Sequence, residues 1–291
     1  MTTTKSKLAR ALASGRLAIT AECLPPRSPD AGAVKKLAAA LPSSLDAVVV
    51  ADNPDEIHAS GLACAAILAD EGRESVLTMV TRDRNRIALE SDALGAAALG
   101  IGAILCLSGD HQSLGICPQA AGVYDIDSIQ LTQALKGLGL PELLVGAVAH
   151  PYQRPMELNL LRLRKKIAAG ADFLLTQAVF DLAGFTQWMD AVRAAGLDTQ
   201  VAIIASVLPL ASVEKARTLD KRQTYGPVGE DVIARLSQAA DAVKEGVAIA
   251  AATAAQLKAV PGVRGIHILS GGCESLAATV IQEAGLVQDE S

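Results

Sequence analysis

A glutamate ends an apolar run early in the chain, Leu17-Ala-Ile-Thr-Ala-Glu22, and is followed at once by Cys23-Leu24-Pro25-Pro26. A carboxylate in that position has to be paired or hydrated by a cavity, because an apolar strand end alone cannot solvate it. Other short apolar runs also end in polar groups: Asp52-Asn53-Pro54, Thr81-Arg82-Asp83-Arg84-Asn85-Arg86, Ser108-Gly109-Asp110-His111, His150-Pro151, Gln177 with Asp181 beyond, and Ser270-Gly271-Gly272-Cys273-Glu274. Some have simpler roles open to them. Asp52 and Asp83 can cap the helices that follow, and the three arginines can form a solvated, ion-paired turn. His58 reads as a structural residue inside a helix and His267 as a packed strand residue. His111, His150 and Asp110 lack the spacing of a metal motif, so no metal site is expected. Cys273 in its Gly-Gly-Cys turn is a weak nucleophile candidate. Neither a GxSxG elbow nor a phosphate-binding loop is present.

The elements that would carry these residues recur regularly. Eight β-branched runs, Leu17–Cys23, Ala47–Ala51, Val76–Thr81, Ala103–Leu107, Leu143–Ala149, Phe173–Ala178, Val201–Val207 and Gly265–Leu269, alternate with helical patterns. Val34, Leu37, Ala38 and Leu41 keep helical spacing, as do Leu160, Leu163 and Ile167, and Gly72, Gly100, Gly139, Gly170, Gly196 and Gly262 stand where helices should stop. Most runs are apolar throughout, as strands covered on both faces require. Eight such units predict an α/β fold, a single-domain TIM (β/α)8 barrel, whose chemistry lies at the C-terminal ends of its strands. A doubly wound open sheet is the alternative. Its dinucleotide fingerprint is missing, since Gly100-Ile-Gly102 leads into a strand.

Composition narrows the function classes. The 291 residues are 51% hydrophobic and only 2% aromatic, so small aliphatic side chains must fill the core. Net charge is −5, from 26 basic against 31 acidic residues, which gives no basic surface for nucleic acid. Five cysteines form no CxxC pair, and with no signal-peptide-like apolar core at the N-terminus the reading is a reduced, cytoplasmic protein. The uncharged stretch between Asp92 and Asp110 is shorter than the roughly 20 residues of a membrane span and is broken by glycines, so no membrane insertion is expected.

Taken together, the strand-end motifs resemble those of the methylenetetrahydrofolate reductase family. The pieces that carry the likeness are Ala21-Glu22-Cys23-Leu24-Pro25-Pro26-Arg27, Leu107-Ser108-Gly109-Asp110, the segment from Lys165 to Asp181 with its Thr176-Gln177 pair, and Gly265-Ile-His267-Ile-Leu269. Their order and spacing cover about residues 15–285. The resemblance implies one flavin-binding barrel, with FAD or FMN as cofactor, that interconverts 5,10-methylenetetrahydrofolate and 5-methyltetrahydrofolate. It makes Glu22 the general acid, Asp110 the carboxylate beside flavin and pterin, and Gln177 a folate-binding amide. Thr81, Ser108, Gly109, Asp110, Tyr124, His150, Arg162 and Lys166 fall at positions that hold the cofactor. A lid is expected in the loop from His111 to Tyr124, with Gly115, Pro118 and Gly122 making it irregular.

Departures from the family pattern bear on the electron donor. Ala178, Val179 and Val213 stand where aromatics are common, and Gly272-Cys273-Glu274 replaces an Asn-Arg pair. Asn159 and Arg162 replace an Asp and an Asn on the helix after the fifth strand. These changes resemble a branch from the one-carbon pathways of anaerobes, which implies weak use of NAD(P)H, an electron-donating partner subunit and a homo-oligomer. Two other readings share the same mouth: a flavin-free TIM-barrel pterin methyltransferase or lyase, and a non-catalytic flavin- or folate-binding subunit.

Overall fold

Parallel strands joined by helices close into a ring in a computed structural model that describes residues 6–54, 56–111, 113, 117–221 and 226–286. The strands are β1 (Ala18–Cys23), β2 (Ala47–Val50), β3 (Ser75–Val80), β4 (Ala103–Leu107), β5 (Leu144–Ala149), β6 (Phe173–Ala178), β7 (Ala202–Val207) and β8 (Val263–Ile268). Each pairs with the next in sequence, and β8 returns to β1 in the register Ala18↔Gly265 through Ala21↔Ile268. Closure excludes the open doubly wound sheet and establishes the TIM barrel. All eight strands fall within two residues of the runs read from sequence, and the six glycines expected to end helices all have positive φ.

Helices α2 (Ala31–Ala40), α3 (Gly61–Asp70), α4 (Arg86–Ala98), α5 (Ser128–Gly137), α6 (Met156–Ala168) and α7 (Leu182–Ala194) fill the connections from β1 to β7. Three helices, α8 (Val213–Lys221), α9 (Glu230–Gln238) and α10 (Ala242–Leu257), separate β7 from β8, and α11 (Leu276–Glu283) follows. None of the described helices is long and apolar enough to cross a membrane. Side chains alternate across each strand. Along β1, Ile19, Ala21 and Cys23 join the core beneath the helices, whereas Ala18, Thr20 and Glu22 face the bore.

The lower bore is filled by small and aliphatic residues with one large ring, Phe173, and its floor is closed by α1 (Lys7–Ser14) through Leu8 and Ala11. Glu74, just before β3, accepts hydrogen bonds from Ser6 Oγ and from the Lys7 and Leu8 amides, which satisfies the open N-terminus of α1. Chemistry is thereby confined to the other end of the barrel.

Candidate active site

Above the filled layers, the bore opens into a cavity of about 280 Å³ at the C-terminal ends of the strands. Leu105, Leu107, Val148, Leu175 and Leu269 make its apolar wall, and polar groups ring its upper part. Seven of the residues that the family resemblance assigns to catalysis or cofactor line this one cavity: Glu22, Ser108, Gly109, Asp110, His150, Lys166 and Gln177. His150 and Gln177 also open onto an adjoining cleft of about 650 Å³ bordered by Tyr152, Arg154 and Asp220.

Glu22 is the last inward residue of β1. Its Oε2 accepts from both the backbone amide and the hydroxyl of Ser270, each at 3.0 Å. Burial raises its pKa above the ordinary carboxylate range, the Ser270 bonds oppose that rise, and the nearby Glu274 carboxylate adds to it. Glu274 is itself buried and accepts from the Leu24 amide at 3.0 Å. Ser270 and Glu274 were legible in the sequence as the polar end of the eighth run, but not as partners of the end of β1.

Asp110 sits on a turn made possible by Gly109, whose φ is 81° and where a Cβ would come within 2.4 Å of Val80 Cγ1. Any other residue would push the turn away from β3. The Asp110 carbonyl accepts from Arg82 Nη1 and from the Tyr124 hydroxyl, both at 3.2 Å. Arg82 also donates to the Asn53 carbonyl at 2.9 Å and pairs with Asp83, so it ties the ends of β2, β3 and β4 together. Its side chain is only 11% exposed, which corrects the reading of a solvated turn.

Asp52 is no helix cap either. It accepts from the Val80 amide at 3.0 Å, pairs with Arg84, and lines the cavity, its pKa raised by burial against the pull of Arg84. Asn85 caps α4 instead. A capping residue and a strand-end bracket have the same sequence signature, so the sequence could not separate them. His58 lies in the loop before α3 rather than in a helix, where its ring meets the Pro25 carbonyl at 2.6 Å and its amide donates to Asn53 Oδ1 at 2.8 Å. The turn-forming Asn53, with φ 45°, overrides helical spacing there. His267 is buried, with Nδ1 2.9 Å from Thr20 Oγ1, yet it also borders the cavity, and burial pushes its pKa down to about 3, so it is neutral.

Gln177 reaches the cavity through a bulge. Leu175 pairs with Ile204 and Ala178 with Ser206, so three steps along β6 match two along β7. Thr176 fastens the bulge by donating to the Gln177 carbonyl at 2.9 Å and accepting from the Ser206 amide at 3.0 Å. Lys166 enters from α6 and donates to the Val148 carbonyl, and burial pushes its pKa down to about 8 with help from Arg162. Arg162 itself is exposed one turn away on α6.

Asn159 is buried and holds the loop after β5, donating to the His150 and Gln153 carbonyls and accepting from Trp188. Tyr124 is 40% exposed beside Asp110. Thr81 is fully buried, and its hydroxyl has no hydrogen-bond partner. Within the expected lid, Gly115 lies outside the described residues, as do residues 112, 114 and 116. Ala178 and Val179 are packed in the cores outside the bore and present no face to the mouth. Among the described residues, no three His, Cys, Asp or Glu side chains come together as a metal site.

The arrangement pairs an apolar slot with carboxylates on opposite walls, an amide between two clefts and a buried amine. That combination suits a flat, partly polar ring system and proton transfer to it. Comparison with known proteins places the chain among them. The family model described as methylenetetrahydrofolate reductase matches residues 7–285. The 5,10-methylenetetrahydrofolate reductase of Pectobacterium carotovorum is 27% identical over 208 residues, covering 69% of this chain and 67% of that protein. The enzyme of the same name from Salmonella typhimurium is 25% identical over 210 residues, covering 70% and 68%. Among solved structures, a Clostridium thermocellum protein that binds two copies of 5-methyl-5,6,7,8-tetrahydrofolic acid superposes with a TM-score of 0.72 at 16% identity, over 96% of this chain and 100% of that one. With the family model matching residues 7–285, a span that includes every strand end that builds the cavity, the chain belongs to the methylenetetrahydrofolate reductase family.

Proposed function

We propose that the protein is a flavin-dependent oxidoreductase that interconverts 5,10-methylenetetrahydrofolate and 5-methyltetrahydrofolate. The observation that carries the reading is Glu22: a carboxyl with raised proton affinity at the top of the bore, in the same cavity as Asp110 and Gln177. A flavin fits the residues present. The buried Lys166 amine and the Ser108-Gly109-Asp110 turn supply polar contacts beside an apolar wall, whereas the buried Thr81 hydroxyl, which the resemblance also assigns to the cofactor, is not among the groups that line the cavity. Ser108, Tyr124, His150 and Arg162 complete the set that would hold FAD or FMN. When bound, the flavin supplies the hydride that turns the methylene carbon into a methyl group.

The chain's own groups do the rest. Glu22 gives its proton to N10 of the folate as the bond from N10 to the methylene carbon breaks, and the resulting carboxylate keeps the two Ser270 hydrogen bonds. The N5-iminium left behind is cationic, and the Asp110 carboxylate favours it electrostatically. Gln177, held by its bulge, offers both a donor and an acceptor to the pterin edge. Purified protein that is yellow, releases a flavin on denaturation and reoxidises its reduced flavin on addition of methylenetetrahydrofolate supports the reading. A colourless protein that binds folate but gains no flavin when supplied in excess overturns it.

A flavin-free folate protein is the second reading, favoured by one observation: the Clostridium thermocellum neighbour holds two methyltetrahydrofolate molecules. The same spectrum separates the two.

Electrons are proposed to come from a partner protein rather than from NAD(P)H. Among the described residues, no Phe, Tyr or Trp lines the central cavity, and each lost contact of that kind weakens a stacked ring by about 0.5–1.5 kcal/mol. Anaerobic stopped-flow mixing is expected to show slow bleaching of the flavin by NADH and fast reduction by dithionite. Rapid, saturable bleaching at micromolar NADH would contradict the partner requirement.

A further inference from the structure

The turn after β8 folds back over the end of β1 and grips it twice. At residue 22, the Ser270 amide and hydroxyl both donate to Glu22 Oε2 at 3.0 Å. At residue 24, on the same face of the extended chain, the backbone amide donates to Glu274 Oε1 at 3.0 Å. The turn itself is tight: Gly271 and Gly272 have φ of 55° and 87°, the Cys273 amide donates to the Ser270 carbonyl at 2.9 Å, and the Gly272 amide donates to the Ser270 hydroxyl at 3.2 Å. Lys215 from α8 pins it through a 2.5 Å bond to the Gly271 carbonyl. Ser270 and Glu274 are 3% and 8% exposed, so solvent screens neither contact well.

These two grips act on Glu22 in opposite senses. Two donors aimed at one carboxylate oxygen favour the ionised form, and a second buried carboxylate disfavours it. Other groups facing Glu22 do less to distinguish the forms. His267 on β8 is neutral and committed to Thr20, Asp52 at the end of β2 is paired with Arg84, and Arg82, Asp110 and Lys166 come from the loop after β3, the loop after β4 and α6 rather than from the strands paired with β1. Cys23 and Cys64 lie on the helix side of β1.

We propose that the turn after β8 governs when Glu22 carries its proton: Ser270 is a positioning residue that favours the carboxylate, and Glu274 opposes it. This rests on the reading of Glu22 as the proton donor only where turnover is concerned. The turn would hold Glu22 protonated enough to give its proton to N10, while keeping two donors in place for the carboxylate that remains.

The test reads Glu22 directly. In full-length protein labelled with [δ-13C]glutamate, the Glu22 signal is assigned by its loss in Glu22→Gln and titrated in wild type and variants. Ser270→Ala is expected to raise the midpoint by about one pH unit and Glu274→Gln to lower it by about half a unit or more, with Ser270→Thr, which keeps the hydroxyl, near wild type. No movement, or movement of both variants in one direction, overturns the proposal. Glu274→Gln keeps the acceptor for Leu24, so its shift decides the matter if Ser270→Ala fails to fold. A midpoint that moves while the pH limb of folate turnover stays fixed leaves the turn's role standing and removes Glu22 as the donor.

Discussion

Glu22→Gln is expected to lower folate turnover by about 10²-fold or more while leaving flavin binding and flavin reduction near wild type. The amide keeps the shape of the carboxyl and still accepts from Ser270, but it has no acidic proton for N10. The wild-type rate should be high where Glu22 is protonated and fall as pH rises through its raised pKa, and the variant should lose that limb. Asp110→Asn should cost less, since it removes charge rather than a transferable proton. Stability moves the other way. A carboxyl whose folded pKa is raised favours folding fully below its unfolded pKa, and that contribution is lost as pH rises through the folded pKa. At neutral pH the amide escapes that penalty, so Glu22→Gln should melt no lower than wild type. Separate assays of flavin reduction by dithionite, flavin reoxidation by methylenetetrahydrofolate and thermal melting check the three parts. Turnover within a few-fold of wild type would reassign the acid, with His150 next in line.

Gly246→Ala should lower the melting temperature by several degrees, on the order of 2–6 °C, the opposite of what helix propensity says. In an unhindered helix interior, alanine is better than glycine by about 1 kcal/mol. Gly246 is buried on α10 against the segment after β7, and a Cβ there would lie 1.8 Å from the Leu210 carbonyl oxygen and 2.9 Å from its nitrogen. Those are backbone atoms, so no rotamer relieves the clash and α10 must retreat from the barrel. Overpacking of this kind costs about 1–3 kcal/mol or more, which outweighs the propensity gain. Gly95 on α4 is the matched control: its nearest neighbour to a Cβ would be Leu62 Cδ2 at 3.9 Å, so Gly95→Ala should stabilise the protein by about 1 kcal/mol. Melting curves of the pair check the argument, and equal shifts of the same sign would refute it.

The barrel was legible in the sequence because eight mostly apolar strand runs alternate with helical patterns and six of the helices between them stop at a glycine, signals that are local and recur along the chain. Glu22, Asp110 and Gln177 were legible for a related reason, since a polar residue at the end of such a run contradicts its surroundings. Tertiary structure alone decided what those residues face. Along β1, Thr20 and Glu22 alternate with apolar Ile19, Ala21 and Cys23, but only barrel closure makes that polar face the inner one. Asp52 has the local signature of a cap and becomes a bracket because Val80 and Arg84 reach it from the next strand and its loop. Gln177 enters the mouth because β6 and β7 pair with a bulge, which no single strand encodes. Ser270 and Glu274 reach the end of β1 from about 250 residues away in sequence, only because parallel pairing brings β8 beside it. Periodicity records what a residue needs from its neighbours in sequence; the proton affinity of Glu22 is set by groups that become its neighbours only when the ring closes.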